Sequence, residues 1–456
     1  MTPDPTRLVT GAALALILTA CATAPVPESP SAPVAANPVR EPAIEFSDNP
    51  ARLGEPVVVR LTGLEPGARI DVVAERPQTF GWNRLYRSRA SFVADARGTV
   101  DLATDAPVDG SWSRADANGL FWSMRNTDEE VPEGRARDDV HIRLEGPDGE
   151  TLDEAVLRLV ATTDELVETP LGEDFPGAFV LRRAGDEPLP AIVILGGSEG
   201  GDMAARRAAP LWAARGYVAV GYPYYSPSWG PSSSSIEGLP EGFANLPLDK
   251  LIGVRDALRA RADVDSARIG LLGSSKGAEF VLAAASRIDG FAAVAAIVPS
   301  DVIWEGWGPG HSEGETPGFA WKGEPLDFVP YKDIARGLGR DAEVALSVPH
   351  AEGLAEASPE RIEAARIRVE DIDEPVFVLG GGRDRTWPSG EMAARIAATR
   401  TEAGLETEAL IFATGGHGLG GVPQAPTRTA SVEARAAGWA ALEVFFERTL
   451  QGLTAD

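Results

Sequence analysis

The sequence predicts a protein of the α/β class, in which a small β-sandwich precedes a mostly parallel, doubly wound sheet. Between about residues 43 and 165, short runs of alternating apolar and polar residues lie between turns rich in Gly and Pro. From about residue 166 onward, continuous apolar runs alternate with segments of helical character. Strands of a parallel sheet are apolar throughout because helices cover both faces, whereas the strands of a sandwich alternate. The two patterns therefore predict two domains.

Length and composition limit the functions that the chain can have. At 456 residues it is long enough for two domains with separate cores. Its formal net charge of −26 argues against phosphate binding over a basic surface, so we expect no nucleic-acid partner. The single cysteine, and the lack of an H-E-x-x-H sequence, give no indication of a metal site. The glycine-rich runs match no dinucleotide fingerprint, and we therefore expect neither a metal nor a cofactor.

The N-terminus has the pattern of a bacterial lipoprotein signal. An apolar run, Leu8–Leu18, is too short to span a bilayer. It ends in Leu18-Thr19-Ala20-Cys21, which resembles the lipobox, where cleavage leaves the cysteine as a lipid-modified N-terminus. We predict a signal peptide over residues 1–20, lipidation of Cys21 and a membrane anchor in the cell envelope. Because Ala22 and not Asp follows the cysteine, the pattern favours the outer membrane.

An ordinary secretory signal is the alternative, since Ala20-Cys21-Ala22 also fits the A-x-A cleavage pattern. Residues 21–42 are rich in Pro, Ala and Ser and lack periodic hydrophobicity, which predicts a disordered tether. Under either reading, we expect the fold to begin near residue 43.

Residues 43–165 are predicted to form a small antiparallel β-sandwich. Its period-two runs, rich in β-branched residues, are Pro56–Leu61, Ile70–Ala74, Ser91–Ala94 and Val140–Leu144. No combination of nucleophile, base and acid occurs in this part of the sequence. We therefore place the chemistry in the second domain.

Residues 166–456 are predicted to form that α/β domain. Its apolar strands are Ala191–Leu195, Tyr217–Tyr222, Ile269–Leu272, Phe291–Val298, Pro375–Gly380 and Glu408–Phe412. The helical segments are Ala205–Arg215, Leu248–Arg261, Glu391–Ala403 and Ser431–Leu450. A segment from about residue 301 to 369 interrupts this alternation. We predict that it forms a cap over the strand ends.

The segment Ile269–Ala284 contains the clearest functional signal. A short apolar strand leads into Gly273-Ser274-Ser275-Lys276-Gly277, and a helical segment begins at about Lys276. This is a G-x-S-x-G nucleophile elbow, in the strand-turn-helix context of the α/β-hydrolase fold. The strained serine leaves no space for neighbouring Cβ atoms, which explains the glycines. Ser275 is the predicted nucleophile; Ser274 lies outside the motif, and a serine that only caps the helix is the alternative.

A serine nucleophile needs a histidine base, which in this fold follows a late strand. Of the four histidines, His417 alone is so placed, in Gly415-Gly416-His417-Gly418. The flanking glycines allow the loop to bring the ring over the elbow. The others lie in the sandwich or in the inserted segment: His141, His311 and His350. His417 is therefore the predicted base, and a surface loop histidine is the alternative.

The base in turn needs a carboxylate that orients its Nδ1 proton. Asp384 follows the preceding strand, in a loop that reads GGRDRTW. Asp371 and Asp373 lie before that strand, at the opposite end of the sheet, where solvated carboxylates are expected. Asp384 is the predicted acid.

Backbone N–H groups would stabilise the oxyanion that develops during acyl transfer. The first predicted donor is the N–H of Lys276, at the start of the elbow helix. The second comes from the glycine-rich turn after the first strand of the domain, from Gly197 or Ser198. Glu199 in the same turn is either a substrate contact or a solvated loop carboxylate.

These motifs resemble the acyl-CoA thioesterase and bile acid-CoA:amino acid N-acyltransferase (BAAT) family over most of the chain after residue 43. The similar segments are IGLLGSSKGAEF, VFVLGGGRDRTWPS, the GGHG loop and NGLFWSM in the sandwich. The resemblance implies a β-sandwich joined to an α/β-hydrolase domain, with Ser275 as nucleophile, Asp384 as acid and His417 as base. Acyltransferase members carry a cysteine nucleophile, so Ser275 favours hydrolysis. The hydrolase half is also similar to dienelactone hydrolases.

Two departures bear on the substrate. The family's histidine is usually followed by an acidic, proline-containing segment, which Gly418-Leu419-Gly420-Gly421-Val422 replaces here. A lipoprotein also faces a compartment where coenzyme A thioesters are not expected. The first hypothesis is therefore a cell-envelope serine hydrolase of acyl esters or thioesters. The alternatives are a true acyl-CoA thioesterase and, from another class, an inactive envelope lipoprotein that binds a partner.

Overall fold

The structure, a computed structural model, describes residues 41–78, 84–228, 235–338, 342–426 and 432–452. The predicted signal peptide, Cys21 and nearly all of the predicted tether lie outside these residues. None of the described helices is both long and apolar enough to cross a membrane.

The first part of the described chain folds into short strands and one helical turn. These are β1 (Ala43–Phe46), β2 (Ala51–Arg52), β3 (Val59–Thr62), β4 (Arg69–Gln78), β5 (Arg84–Val93), β6 (Val100–Asp101), β7 (Asp109–Gly110), α1 (Gly119–Trp122), β8 (Arg125–Glu130), β9 (Asp139–Glu145) and β10 (Thr151–Val160). One sheet has the order β1-β3-β6. The other has the order β2-β10-β9-β4-β5-β7, and β8 also pairs with β5.

The two sheets enclose one apolar core. Leu61 enters it from the small sheet, and Val72 and Leu144 enter it from the large one. Along β3, buried Val59 and Leu61 flank exposed Arg60, which is the period-two pattern of the sequence. The predicted β-sandwich is therefore confirmed. It is not wholly antiparallel, however, because β2 pairs with β10 in parallel.

The second part of the chain supplies the remaining elements. Its strands are β11 (Leu166–Pro170), β12 (Phe179–Arg183), β13 (Leu189–Leu195), β14 (Val218–Gly221), β15 (Leu246–Pro247), β16 (Val264–Ser274), β17 (Ala293–Ile297), β18 (Phe319–Trp321), β19 (Glu324–Pro325), β20 (Val376–Gly381) and β21 (Thr407–Phe412). Its helices are α2 (Met203–Ala214), α3 (Lys250–Arg259), α4 (Lys276–Ala285), α5 (Ser347–Glu356), α6 (Pro359–Ala365), α7 (Ser389–Glu402) and α8 (Val432–Phe446). A π-helical turn, Glu447–Gln451, extends α8.

The main sheet has the order β11-β12-β14-β13-β16-β17-β20-β21. Neighbouring strands from β14 to β21 in this order run parallel, as predicted. The strands β11 and β12 are antiparallel additions at one edge, and the sequence did not predict them. Edge strand β11 is largely exposed and so lacks the continuous apolar run by which the inner strands were found.

Helices cover both faces of this sheet. Adjacent residues on β16 point to opposite sides, so that Leu271 packs in the core beneath α3, α4 and α7. Leu272 packs in the core beneath α2 and α8. The domain therefore has the predicted doubly wound arrangement. Its parallel strands direct their carboxyl ends to one edge, and the predicted site residues follow β16, β20 and β21 at that edge.

The inserted segment, which is the predicted cap, contributes β18 and β19 to a small sheet with the order β15-β18-β19. Because β15 lies before α3, the chain ahead of that helix also contributes to this layer. Trp304 and Val329 of the insertion pack with Trp387, which lies just beyond β20, in a separate core cluster. The cap is thereby joined to the loop that carries the predicted acid.

Candidate active site

Ser275 lies at a strained turn between β16 and α4. Its backbone has φ +56° and ψ −121°, a conformation that an L-residue rarely adopts. A Cβ on Gly273 would lie 2.1 Å from the Gly277 carbonyl oxygen, and one on Gly277 would lie 2.4 Å from that of Gly196. Both glycines are therefore required by close backbone approach, which is the reason that the sequence analysis gave for them.

The three predicted side chains form one hydrogen-bonded chain. The Ser275 hydroxyl lies 2.9 Å from His417 Nε2, and His417 Nδ1 lies 2.8 Å from Asp384 Oδ2. Because the carboxylate only accepts hydrogen bonds, Nδ1 carries the imidazole proton and Nε2 accepts the hydroxyl. His417 lies 33 positions from Asp384 and 142 positions from Ser275 in the chain, and the ends of β16, β20 and β21 bring the three together.

The Asp384 carboxylate is fully buried and accepts several hydrogen bonds. Oδ1 accepts from the backbone N–H groups of Thr386 at 2.8 Å and Trp387 at 3.4 Å. Oδ2 accepts from the Ser389 hydroxyl at 2.6 Å as well as from His417. These donors fix the position of both carboxylate oxygens beside the imidazole. Ser389 is a positioning residue that was not predicted, although its place at the N-terminus of α7, five residues after the acid, was a usable signal.

The oxyanion donors predicted in the glycine-rich turn are arranged differently from the expectation. The Gly197 N–H donates to Glu199 Oε1 at 2.8 Å. A Cβ on Gly197 would lie 3.0 Å from both Glu199 Oε2 and Ser275 Cβ, so the carboxylate stands beside the nucleophile. The other candidate, Ser198, is exposed, and its carbonyl accepts a hydrogen bond from the Tyr225 hydroxyl. Glu199 is therefore hydrogen-bonded to its own turn, which differs from the second alternative given for it, a solvated loop carboxylate.

Lys276, predicted only for its backbone N–H, also places a charged side chain inside the protein. Its ammonium lies 2.8 Å from Glu279 Oε2, and Glu279 Oε1 accepts the Trp304 N–H at 3.0 Å. Burial lowers the pKa of Lys276 and raises the pKa of Glu279, while each charge partly offsets this effect on the other. This pair was not predicted, although its i,i+3 spacing on a predicted helix indicated it.

The remaining predicted features add no further group to the site. His350 is buried within the cap, in α5, where burial lowers its pKa to about 3, and its Nδ1 donates to the Leu346 carbonyl. The described residues contain no cluster of three or more His, Cys, Asp or Glu side chains that could hold a metal ion. Cys21, the predicted lipidation site, lies outside the described part of the chain.

The parallel sheet, the elbow and the linked serine, histidine and aspartate define an α/β-hydrolase. A family model described as the acyl-CoA thioester hydrolase/BAAT N-terminal region matches residues 54–163. A second model, described as the BAAT/acyl-CoA thioester hydrolase C terminal, matches residues 256–441. The chain belongs to this family, as its motifs predicted, and it is a hydrolase of ester or thioester bonds.

Two acyl-coenzyme A thioesterases match this chain along most of their length. Acyl-coenzyme A thioesterase 1 of Rattus norvegicus is 26% identical over 437 residues, which cover 87% of this chain and 94% of the relative. Acyl-coenzyme A thioesterase 2, mitochondrial, of the same species is 27% identical over 435 residues, which cover 87% of each chain. The solved structure of Pyrococcus horikoshii acylaminoacyl peptidase aligns with 91% of this chain and 57% of its own, at 16% identity and a TM-score of 0.42.

Proposed function

We propose that the protein is a serine hydrolase that cleaves acyl esters or thioesters through an acyl-enzyme intermediate on Ser275. The observation that carries this proposal is the hydrogen-bonded chain from Ser275 through His417 to Asp384, set on a strained elbow. Such a chain allows a serine hydroxyl to lose its proton as it attacks a carbonyl carbon.

In the first half of the reaction, Ser275 Oγ bonds to the acyl carbon while His417 Nε2 takes the hydroxyl proton. Asp384 stabilises the imidazolium that forms, and the backbone N–H of Lys276 donates to the oxyanion. The tetrahedral intermediate collapses as His417 returns the proton to the leaving alcohol or thiol. In the second half, His417 takes a proton from water as the oxygen of that water adds to the acyl carbon. The resulting tetrahedral intermediate breaks its bond to Ser275 Oγ, which takes the proton back from His417, and the carboxylic acid leaves.

The leaving group distinguishes two candidate substrates. The family relatives are named acyl-coenzyme A thioesterases, which supports an acyl thioester substrate for this chain. The N-terminal pattern supports instead an ester or thioester of the cell envelope, since we propose that Cys21 is lipidated and anchors the protein there, on the outer membrane. We take the envelope hydrolase as the first candidate and the acyl-CoA thioesterase as the second.

One experiment separates these candidates. Purified protein and its Ser275→Ala variant are given nitrophenyl esters from acetate to palmitate and, in parallel, acyl-CoA thioesters of the same chain lengths. The variant should lose activity by about a million-fold if Ser275 is the nucleophile. Turnover of esters alone supports the envelope candidate, and a clear preference for CoA thioesters supports the other. An inactive partner-binding lipoprotein would hydrolyse neither and would not react with a fluorophosphonate probe.

The anchor has its own test. Cells that express the chain are fed a palmitate analogue suitable for click labelling, alongside cells that express Cys21→Ser. Labelling that depends on Cys21, together with recovery in the outer-membrane fraction, is the expected result. Unlabelled protein in the periplasm would indicate the ordinary secretory signal instead, and protein in the cytosol would support the acyl-CoA candidate.

A further inference from the structure

The loop that carries His417 is rich in glycine. Gly415, Gly416, Gly418, Gly420 and Gly421 surround the histidine within seven positions. Glycine loses more conformational entropy on ordering than any other residue, so this loop is costly to hold in one conformation. A base that must meet Ser275 Oγ within hydrogen-bonding distance therefore needs anchors on both sides of the loop.

The side of the loop before His417 is held by the end of β21 and by the acid loop. The Gly415 N–H donates to the Phe412 carbonyl at 2.9 Å, and the Arg383 N–H donates to the Gly415 carbonyl at 2.8 Å. The side after His417 is held within the hydrolase part by Arg435 of α8. Its guanidinium donates to the Gly418 carbonyl at 2.8 and 3.1 Å and to the Ala425 carbonyl at 3.2 Å.

A second anchor after His417 comes from the β-sandwich. Gln424 has no exposed surface, and its Oε1 accepts the Gly54 N–H at 3.0 Å. Its Nε2 donates to the Glu55 carbonyl. Both partners lie in the turn Leu53–Glu55 after β2, so one buried amide pairs with two backbone groups of the other domain.

The turn Leu53–Glu55 is itself held against the hydrolase part. Arg215, at the end of α2, donates to the Leu53 carbonyl at 3.3 Å and lies over the Trp439 ring. Where α8 begins, Val432 packs into the core of the sandwich, and Glu433 pairs with Arg114 of the sandwich. The sandwich thus contacts the chain after His417 at Gln424 and again at the start of α8.

We propose that the β-sandwich is a positioning element for His417, acting through a clasp that consists of Gln424 and the turn Leu53–Glu55. This inference rests on the proposed role of His417 as the base. The hydrogen bonds of the Gln424 side chain go to Gly54 and Glu55, so its effect on catalysis passes through the loop between positions 417 and 424. The clasp compensates for the glycines that follow the histidine, because it fixes the far end of a segment with little conformational preference of its own.

The first test replaces Gln424 by Ala in the otherwise complete protein. The rate of acylation should fall by about 10- to 100-fold with KM unchanged, because a small displacement of the base lowers catalysis without altering binding. Gln451→Ala is the matched control: Gln451 Nε2 donates to the Arg215 carbonyl at 3.0 Å, and the loss of that bond should leave acylation unchanged. If Gln424→Ala fails to fold, Gln424→Glu keeps the acceptor for Gly54 and loses the donor.

The second test distinguishes positioning from general stabilisation. In a His417→Ala background, Gln424→Ala should have no further effect on the residual hydrolysis of an activated nitrophenyl ester. An equal loss in both backgrounds would overturn the proposal, as would a lower thermal stability with full acylation rate. If His417→Ala itself retained activity, the proposed function and not the clasp would be at fault.

A third test alters the sandwich side alone. Gly54 has φ +95°, and a Cβ there would lie 2.5 Å from the Arg215 guanidinium and 2.9 Å from Trp439 Nε1. Gly54→Ala should therefore displace the turn and slow acylation as Gln424→Ala does. Gly67, at φ +78°, also has a left-handed backbone but has no atom within 4 Å of an added Cβ. Gly67→Ala should carry a similar backbone strain without slowing acylation, and an equal effect of both variants would contradict the proposal.

Discussion

Lys276 and Glu279 form an ion pair, 2.8 Å apart, on the first turn of the helix that follows Ser275, with side chains only 4% and 0% exposed. Four rings surround the ammonium at 5.3 to 5.9 Å: Phe243, Trp307, Tyr331 and Trp387. The pair therefore connects the elbow helix to the cap and to the acid loop. A buried pair of this kind is costly to desolvate but costlier to break.

Replacing Lys276 by Met should destabilise the protein by about 3–5 kcal/mol, because the Glu279 carboxylate is left buried without a counter-charge. The double variant Lys276→Met/Glu279→Gln should recover most of this loss, since no net charge remains inside. Urea unfolding of both variants measures the difference. The exposed pair Lys332–Glu356 provides the control, and Lys332→Met should leave the free energy of unfolding nearly unchanged. A double variant as unstable as the single one would contradict this account.

In the position that it occupies in the structure, Glu199 is expected to lower the rate of acylation. Its carboxylate accepts the Gly197 N–H that was predicted to donate to the oxyanion. Its negative charge also disfavours the formation of a second negative charge on an oxyanion beside Ser275. Glu199→Ala should raise the acylation rate, because the N–H is released; a single oxyanion donor is worth about 10²–10³ in kcat.

Glu199→Gln separates the two effects, since the amide removes the charge and retains an acceptor for Gly197. Stopped-flow measurement of nitrophenol release gives the acylation rate of each variant. A fall in rate for both variants would mean that Glu199 holds the turn in its active shape.

Asp384→Asn should lower kcat by about 10⁴ while the fold is retained, because the amide favours the wrong tautomer of His417. Ser389→Ala should produce a smaller fall in kcat, since it removes one of the hydrogen bonds to Oδ2 and leaves the charge in place. Ser286→Ala, which removes a hydroxyl bonded to the Ala283 carbonyl at the other end of α4, is the control and should not change kcat. Steady-state kinetics with a fixed ester measures all three.

His350 should make stability fall as the pH is lowered. Burial lowers its pKa in the folded protein from 6.5 to about 3. The hydrogen bond to the Leu346 carbonyl and the Asp384 charge partly oppose this shift, and Lys276 and His417 contribute to it. Below pH 6.5 the unfolded chain therefore binds a proton that the folded protein does not. This lowers the free energy of unfolding by about 1.4 kcal/mol per pH unit down to about pH 3.

The measurement is urea unfolding at several pH values between 7 and 4, for the native protein and for His350→Leu. The variant should show a shallower decrease with falling pH, because its other titrating groups are unchanged. Parallel curves for the two proteins would show that His350 is protonated in the folded state.

Much of the fold could be predicted because its inner elements have strong local patterns. Strand β13 was found because all but its first residue are buried and apolar, whereas β11 was missed because it is exposed at the edge of the sheet. The pairing of Ser275, Asp384 and His417 could be predicted because the parallel strands of this fold end at one edge. Gln424 could not be predicted, since its partner Gly54 lies 370 positions away in the other domain.

The sequence by itself determined the elbow, the order of nucleophile, acid and base, and the family. These depend on backbone geometry and periodicity, which are local, and on the topology that such patterns imply. Only the tertiary structure decided that Glu199 takes the Gly197 N–H, that the Lys276 ammonium is sealed among aromatic rings, and that the sandwich holds the histidine loop. Each of these depends on which surfaces meet in the packed protein, and contacts between distant segments produce no periodic pattern in the sequence.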